Sequence, residues 1–518
     1  MEIRTESYKK GLAVSTIFNV ASKAIAFLSN LVIAYYFGAT FHTDIYFYII
    51  TIFNLISYFI TSVTTSVIIP ESMRIREEDN DLCIHFLNKF FFLFTSIGVV
   101  FSLIFCLFPV SLFSVISKYS VNVLLENKLT LILGSALFPI IIATNFLNDV
   151  LISYKIFTAP MIVTAINSLF IIIFIIFLHS VLNTQSLIIG YASGYVFNIG
   201  VLFFLLKAQL HWKFSLLSSL RIRVQGKLWH DILYSQSGSI VSILSSYFPI
   251  YLLSSFDGGI VSAVNYAQKI AYIPHYVISS QFAVVVGVKF NELFARKEYA
   301  DLNQTYRRAV EFILFTIIPF SLFLFFFRNE ITVFLFNRGH ATSQDVIHIS
   351  RLLGYFSLPV CLIAVNNIFA YLCFSAQIVK YSFLFQIATN ILSLLSIYPF
   401  IKMFGYIGYP LNVLFVFLIT LILFPMVFSR LLSHINLKII YWYLIKIVFV
   451  NILLIGGTYY VVHLLNLNTF FTLCIGFISS VLLLLLFNHL FKINQDISFL
   501  IYHLNRYLKF PFRYLLKN

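Results

Sequence analysis

The side chains best placed to do chemistry in this chain are ionisable groups set inside long apolar runs. Lys23 falls in the middle of one such run, and Lys269 falls about ten residues into another, 260–288, where Pro274 follows it. A charge at the centre of a membrane helix costs about 2.5 to 3.5 kcal/mol on insertion scales, so it normally faces a wet interior. Two lysines at comparable depth, one in each half of the chain, would bind an anionic group in a cavity between the halves. The competing account is that each ammonium snorkels or satisfies a local carbonyl. Asp44, after FGATFHT, fits a cap on the helix it opens as well as it fits a direct part in transport. Asp149, beside Asn148 near the end of its run, reads as structural, and Arg351 and Lys446 lie close enough to an interface to snorkel.

Catalysis finds little support. No G-x-x-x-x-G-K-[ST], HExxH, GxSxG or dinucleotide fingerprint occurs. The five cysteines, Cys83, Cys106, Cys361, Cys373 and Cys474, have no metal-ligand spacing and read as small core residues. The 60 Phe and 31 Tyr read as lipid-facing and interfacial packing rather than a stacking site. Neither a metal nor an organic cofactor is expected, so any work must draw on a transmembrane gradient or on the substrate's own charge.

The elements that must position these residues follow from composition. Of 518 residues, 60% are hydrophobic and only 10% charged, against about 25% charged in soluble proteins, so most of the surface must meet lipid. Fourteen stretches approach the roughly 20 residues that a bilayer core requires. They are 11–37, 44–69, 90–113, 129–153, 158–181, 185–206, 231–256, 260–288, 312–327, 349–374, 381–401, 407–428, 440–464 and 469–491. With fourteen crossings the termini share one side, and the terminal segments and even-numbered connections carry 25 of the 34 Lys and Arg. That bias places both termini in the cytoplasm. It also explains the net charge of +15 through the anionic inner leaflet, without nucleic acid.

The expected fold is therefore an all-α polytopic membrane protein with two pseudo-repeated six-helix lobes and two further C-terminal helices. The division is 1–206, a cytoplasmic hinge at 207–230, 231–430, the last two helices within 431–491, and a basic interfacial tail at 492–518. Internal similarity supports the two lobes, because LGSALFP at 133–139 recurs as LGYFSLP at 353–359, and PVSLFSVI aligns with EITVFLFN at nearly the same offset. Parallel six-helix repeats are a transporter arrangement with the substrate site near the midplane.

The run NVASKAIAFLSNLVIAYYFGATFHTDIYF, continuing through NLISYF to Pro70, resembles the opening of the MurJ/MviN lipid II flippase family within the MATE-like oligosaccharidyl-lipid exporters. NYAQKIAYIP and VFLFNRGHAT resemble that family's eighth helix and the loop after its ninth, and twelve plus two helices resemble it more than its drug-exporting relatives. The resemblance implies that Lys23 and Lys269 stand at cationic positions that meet the substrate diphosphate, and that Asp44 and Asn54 occupy family positions. Ser29, Asn30 and Ser57 stand where the family usually has Arg, Asp and Arg, which widens the expected cargo from lipid II to other undecaprenyl-linked saccharides. Some members carry a sodium site; Asn390 and Asp231 are its candidates here, although Leu394 replaces an expected aspartate.

The implied activity is alternating-access translocation of a polyprenyl-diphosphate-linked saccharide across the bacterial inner membrane. Membrane potential, or a coupling Na+ or H+, would drive or reset the carrier, and cell-wall synthesis proteins are candidate partners beside the lipid substrate. The rival readings are a cation-coupled drug exporter of the MATE type and a glycosyltransferase or polymerase acting on the same lipid carrier.

Overall fold

Apolar runs punctuated by Gly, Pro and Thr fold as helices that begin or end at those residues. The computed structural model describes residues 8–156, 158–222, 226–491 and 493–494, so the expected tail at 492–518 lies, apart from Ile493 and Asn494, outside the described residues. In chain order the helices are α1 (Tyr8–Phe37), α2 (Phe41–Val63), α3 (Ile69–Glu78), α4 (Asn80–Leu107), α5 (Pro109–Ile116), α6 (Val121–Glu126), α7 (Lys128–Ser135) and α8 (Phe138–Ser153). They continue as α9 (Thr158–Leu182), α10 (Gln185–Leu210), α11 (Leu216–Leu220), α12 (Gly226–Leu253), α13 (Ile260–Ala271), α14 (Ser280–Arg296) and α15 (Tyr299–Phe326). The last are α16 (Arg328–Phe336), α17 (Ser343–Ser357), α18 (Val360–Ser375), α19 (Val379–Phe404), α20 (Gly408–Phe428), α21 (Ile439–Leu464) and α22 (Thr469–Phe491). No strand occurs among the described residues.

Twelve helical runs among the described residues are long and apolar enough to cross a membrane, against the fourteen expected. One of the twelve, Val379–Phe428, has 50 residues, about 75 Å of helix at 1.5 Å per residue, against a hydrocarbon core of about 30 Å. It is divided at Gly405, whose φ of +62° opens a short turn between α19 and α20. The expected crossing at 231–256 falls within α12, which is not among the twelve and carries the polar segment SQSGS at 235–239. The expected crossing at 260–288 is also not one regular helix. It is α13, then Pro274, a π turn at His275–Ser279, and α14, because proline removes a helical donor.

The chain packs as two compact units: Met1–Tyr266 with Arg338–Asp345 and Asn390–Tyr406, and Ala267–Asn337 with Val346–Thr389 and Ile407–Asn518. This boundary falls at Tyr266 rather than in the 207–230 connection, since α12 packs along α2. In the first unit α1 lies on α9, α9 on α10, and α4 beside α8, around a core that includes Phe90, Phe146, Leu202 and Trp212. Residues 212–222 of the 207–230 connection, read from sequence as a hinge, dock on α4. Trp212 Nε1 donates to Asn88 Oδ1 at 2.7 Å, Asn88 Nδ2 donates to the Lys213 carbonyl at 2.7 Å, and Lys89 Nζ reaches the Ile222 carbonyl at 2.6 Å.

In the second unit α15 packs on α18 and α21, and α16 on α22, so the last two helices are part of its core. Gly476 permits the approach of α22, for a Cβ there would sit 2.6 Å from the Phe327 ring; small residues at such contacts are how membrane helices pack closely. His463 of α21 meets Glu330 of α16 at 2.9 Å. The sequence repeat has a local counterpart in each unit. The short α5 precedes a helix broken at Ala136–Leu137, and the short α16 precedes one broken at Leu358–Pro359, both breaks lying within the repeated LG-to-P motif.

Asn88→Ala strands the Trp212 donor and the Lys213 carbonyl, at a cost of about 1–3 kcal/mol. The variant is expected to melt lower in detergent and to be cleaved faster by trypsin between 207 and 230; unchanged cleavage would show that Asn88 does not hold the connection.

Candidate functional site

The amino ends of α2, α13 and α17 and the carboxyl end of α1 meet within the first unit. Helix amino termini carry unpaired N–H groups and partial positive charge, so bringing several together requires anionic acceptors. Asp44 is one. Its buried carboxylate accepts the Gly259 N–H at 2.7 Å, the Ser262 N–H at 2.6 Å and the Ser262 hydroxyl at 2.6 Å. Asp44 therefore caps α13 across 215 residues of sequence and not its own helix as the sequence suggested. The cap of α2 is Thr40, whose hydroxyl pairs reciprocally with Thr43.

Asp345 is the second acceptor. It takes the Thr342 N–H at 2.9 Å and lies 3.4 Å from the Ala39 N–H. The loop ahead of it closes on α1: the His340 N–H donates to the Tyr35 carbonyl at 2.9 Å. Gly339 (φ +67°) has no room for a side chain, since a Cβ would sit 2.1 Å from that same carbonyl oxygen. Gly259 (φ +97°) is equally constrained, its Cβ position lying 2.3 Å from the Ala39 oxygen. Nearby, the Tyr48 and Tyr247 hydroxyls both bond the Ile116 carbonyl and lie 2.8 Å from each other. Sequence reasoning missed Gly259, Ser262, Gly339 and Asp345. The signals available were the adjacent glycines 258 and 259 and the glycine of VFLFNRGHAT.

The other predicted residues distribute as follows. Lys23 on α1 and Lys269 on α13 are exposed, in the first and second unit respectively. Ser29 and Asn30 are buried and spend their donors on the Ala26 carbonyl of their own helix, at 2.9 and 2.7 Å. Asn54 is exposed on α2, and Ser57, one turn on, accepts Asn145 Nδ2 of α8 at 2.7 Å. Gln268, beside Lys269, donates to the Tyr409 hydroxyl at 3.2 Å. The break at Pro274 follows within five residues of Lys269, leaving this region with the discontinuous backbone that membrane transporters use around binding sites.

The two cation-site candidates are not brought together. Asn390 donates to Ser242 of α12 at 2.8 Å, whereas Asp231 lies eleven residues earlier on α12, about 16 Å along a helix. Asp231 sits near His230 and lines a 540 Å³ cleft with Glu71, Arg74, Arg221 and Lys227, where Arg74 pairs with Glu71 at 2.6 Å. Among the described residues no group of three or more His, Cys, Asp or Glu forms a metal-binding cluster.

A family model described as lipid II flippase MurJ matches residues 33–481. Similar proteins include a probable lipid II flippase MurJ of Aquifex aeolicus (strain VF5), 26% identical over 411 residues, covering 76% of this chain and 78% of that one. Another, from Buchnera aphidicola subsp. Acyrthosiphon pisum (strain APS), is 23% identical over 369 residues, covering 67% and 69%. A solved lipid II flippase MurJ in an inward closed conformation shares the fold with a TM-score of 0.78 at 19% identity, over 94% of this chain and 99% of that one. An inward-facing multidrug resistance MATE family transporter of the MOP superfamily shares it with a TM-score of 0.62 at 14% identity, over 83% and 97%.

Gly259→Ala forces a Cβ into the Ala39 carbonyl at a backbone angle that L-residues avoid, costing about 1–3 kcal/mol from strain alone. Asp44→Asn keeps the shape but lowers the charge offered to the α13 terminus, with an expected loss of about 1–2 kcal/mol. Thermal melts of both variants in detergent check this, with Gly259→Ala the more destabilised; wild-type melting for both would remove the junction's assigned role.

Proposed function

The chain belongs to the lipid II flippase MurJ family, and on that premise we propose that it moves lipid II from the inner to the outer leaflet of the bacterial cytoplasmic membrane by alternating access. The observation that carries this reading is the reach of the family match, from the last turns of α1 into α22. The protein moves its lipid and does not transform it, in keeping with the absence of the nucleotide-binding and hydrolase motifs sought in the sequence.

In this reading Lys23 and Lys269 present ammonium groups to the diphosphate, and Asn54 and Ser57 contribute neutral polar contacts from α2. An ammonium attracts phosphate as a point charge without the bidentate fork of arginine, so binding is loose enough to permit release. Asp44 acts through closure: its bonds to Gly259 and Ser262 hold the junction shut, and their loss accompanies opening. With both termini in the cytoplasm, as the distribution of basic residues supports, this junction faces the exterior. The inside-negative potential favours outward movement of the anionic head by about 2.3 kcal/mol per charge per 100 mV.

The test is lipid II translocation in proteoliposomes. Lys23→Ala and Lys269→Ala are each expected to slow translocation about tenfold or more, equivalent to about 1.4 kcal/mol, while the Arg variants retain most of the rate. Wild-type rates in both Ala variants would overturn the lysine assignment. Export of organic cations with no movement of lipid II would replace the reading with a MATE-type exporter.

A further inference from the structure

Asp149 of α8 is a buried carboxyl that the reading above leaves unused. It is 8% exposed, the Thr61 side chain of α2 lies beside its carboxyl, and its Oδ2 has no hydrogen-bond partner among the described residues. One turn earlier on both helices Asn145 donates to Ser57, so α2 and α8 meet through two polar pairs at four-residue spacing. Immediately beyond Thr61 the α2 ladder widens into a π turn at Thr64–Ile68. There Thr64, Thr65 and Ser66 each donate to the carbonyl four residues back, at 2.7, 2.7 and 2.5 Å. Such π turns are frequent at functional sites.

An ionised carboxylate in this setting, with one oxygen unpaired and no cation paired with it among the described residues, is strongly disfavoured by desolvation. The charged and titratable groups that neighbouring elements bring to this end of α8 are otherwise engaged or exposed. Arg76 of α3 donates to the Ser153 carbonyl and hydroxyl at 3.2 and 3.0 Å and stacks 3.5 Å over Tyr154. On α4, Cys83 donates to the Ser72 carbonyl, His85 meets Ser218 and Lys89 holds the Ile222 carbonyl. Tyr58, Lys155 and Lys207 are exposed. A hard metal cation collects about six oxygen ligands, whereas a proton needs a single lone pair, and one carboxyl oxygen offers it.

We propose that Asp149 is a proton-binding site, protonated in this conformation, and that its proton exchanges with water at the Ser153 end of α8 during the transport cycle. The protonation stands by itself; the coupling rests on the flippase reading. In the exchange the carboxyl O–H bond breaks, the proton passes to water, and the electron pair stays on the carboxylate. Arg76, whose Nε is buried without a hydrogen-bond partner and whose anchor Ser153 lies one turn from Asp149, is the cation placed to receive the new charge.

The test has two readouts on the full chain in lipid nanodiscs and proteoliposomes. Infrared spectra of protein labelled with carbon-13 aspartate should contain a protonated-carboxyl band at neutral pH that Asp149→Asn removes. Thr61→Val, which deletes the donor favouring the ionised form, should carry that band to higher pH; it also keeps the test valid if Asp149→Asn does not fold. A band untouched by Asp149→Asn, or by Thr61→Val where Asp149→Asn fails to fold, overturns the proton site. In the second readout, lipid II translocation by wild type should vary with pH and that of Asp149→Asn should vary at least threefold less. Equal pH dependence overturns the coupling. Absence of lipid II movement by wild type overturns the flippase reading and the coupling with it, while the infrared band still decides the proton site.

Discussion

Three positive helix ends cannot begin side by side in a low-dielectric medium unless something negative lies between them. In the first unit Asp44, in the first turn of α2, serves the start of α13, and Asp345 serves the start of α17, while Thr40 caps α2 itself. The surrounding backbone is shaped by the same constraint. Gly259 and Gly339 adopt left-handed conformations against the Ala39 and Tyr35 oxygens, positions where any side chain would separate the helix ends from their acceptors. Removing one carboxylate would leave several buried donors without partners, a larger penalty than the average hydrogen bond contributes when present.

A second theme is the use of polar groups inside membrane-facing helices. Ser29, Asn30 and Thr458 donate to the carbonyls of their own helices, the inexpensive solution where water is absent. The interhelical pairs are fewer and more specific: Asn145 with Ser57, Asn390 with Ser242, and Asn88 with Trp212. Each fixes one helix or connection against another at a defined register, which apolar packing between Phe and Leu surfaces does weakly. Helix breaks at Ala136–Leu137, around Pro274, at Leu358–Pro359 and at Gly405 add further discontinuities. The backbone is thus irregular at the places where a transporter needs polar groups or bending.

Much of this architecture was legible from residue order. The helical class, the membrane environment, most crossings and the repeated break motif follow from apolar run lengths and from Gly and Pro, which act locally. The resemblance drawn from NYAQKIAYIP and VFLFNRGHAT falls within the match over 33–481, whereas NVASKAIAF, at 19–27, precedes it. Details failed where local rules compete. The span read as one helix at 260–288 is interrupted because Pro274 withholds a donor. Of the two readings open for Asp44, the cap on its own helix fails because Thr40 already fills that position. Asp231 and Asn390 looked like one site by analogy, but helix geometry separates them.

By itself, then, the sequence determined that this chain is a bundle of membrane helices with ionisable residues set within it, because burial of apolar side chains and the punctuation by Gly and Pro depend on neighbours a few residues away. Only the tertiary structure decided which acceptors serve which donors: that Asp44 serves Gly259 and Ser262, that the 338–345 loop closes on α1, and that Asp149 faces Thr61 with one oxygen unpartnered. Those pairings join residues tens to hundreds of positions apart. A carboxylate's partner is set by which N–H groups the packed helices leave unsatisfied within about 3 Å, a quantity that exists only once the helices are in place.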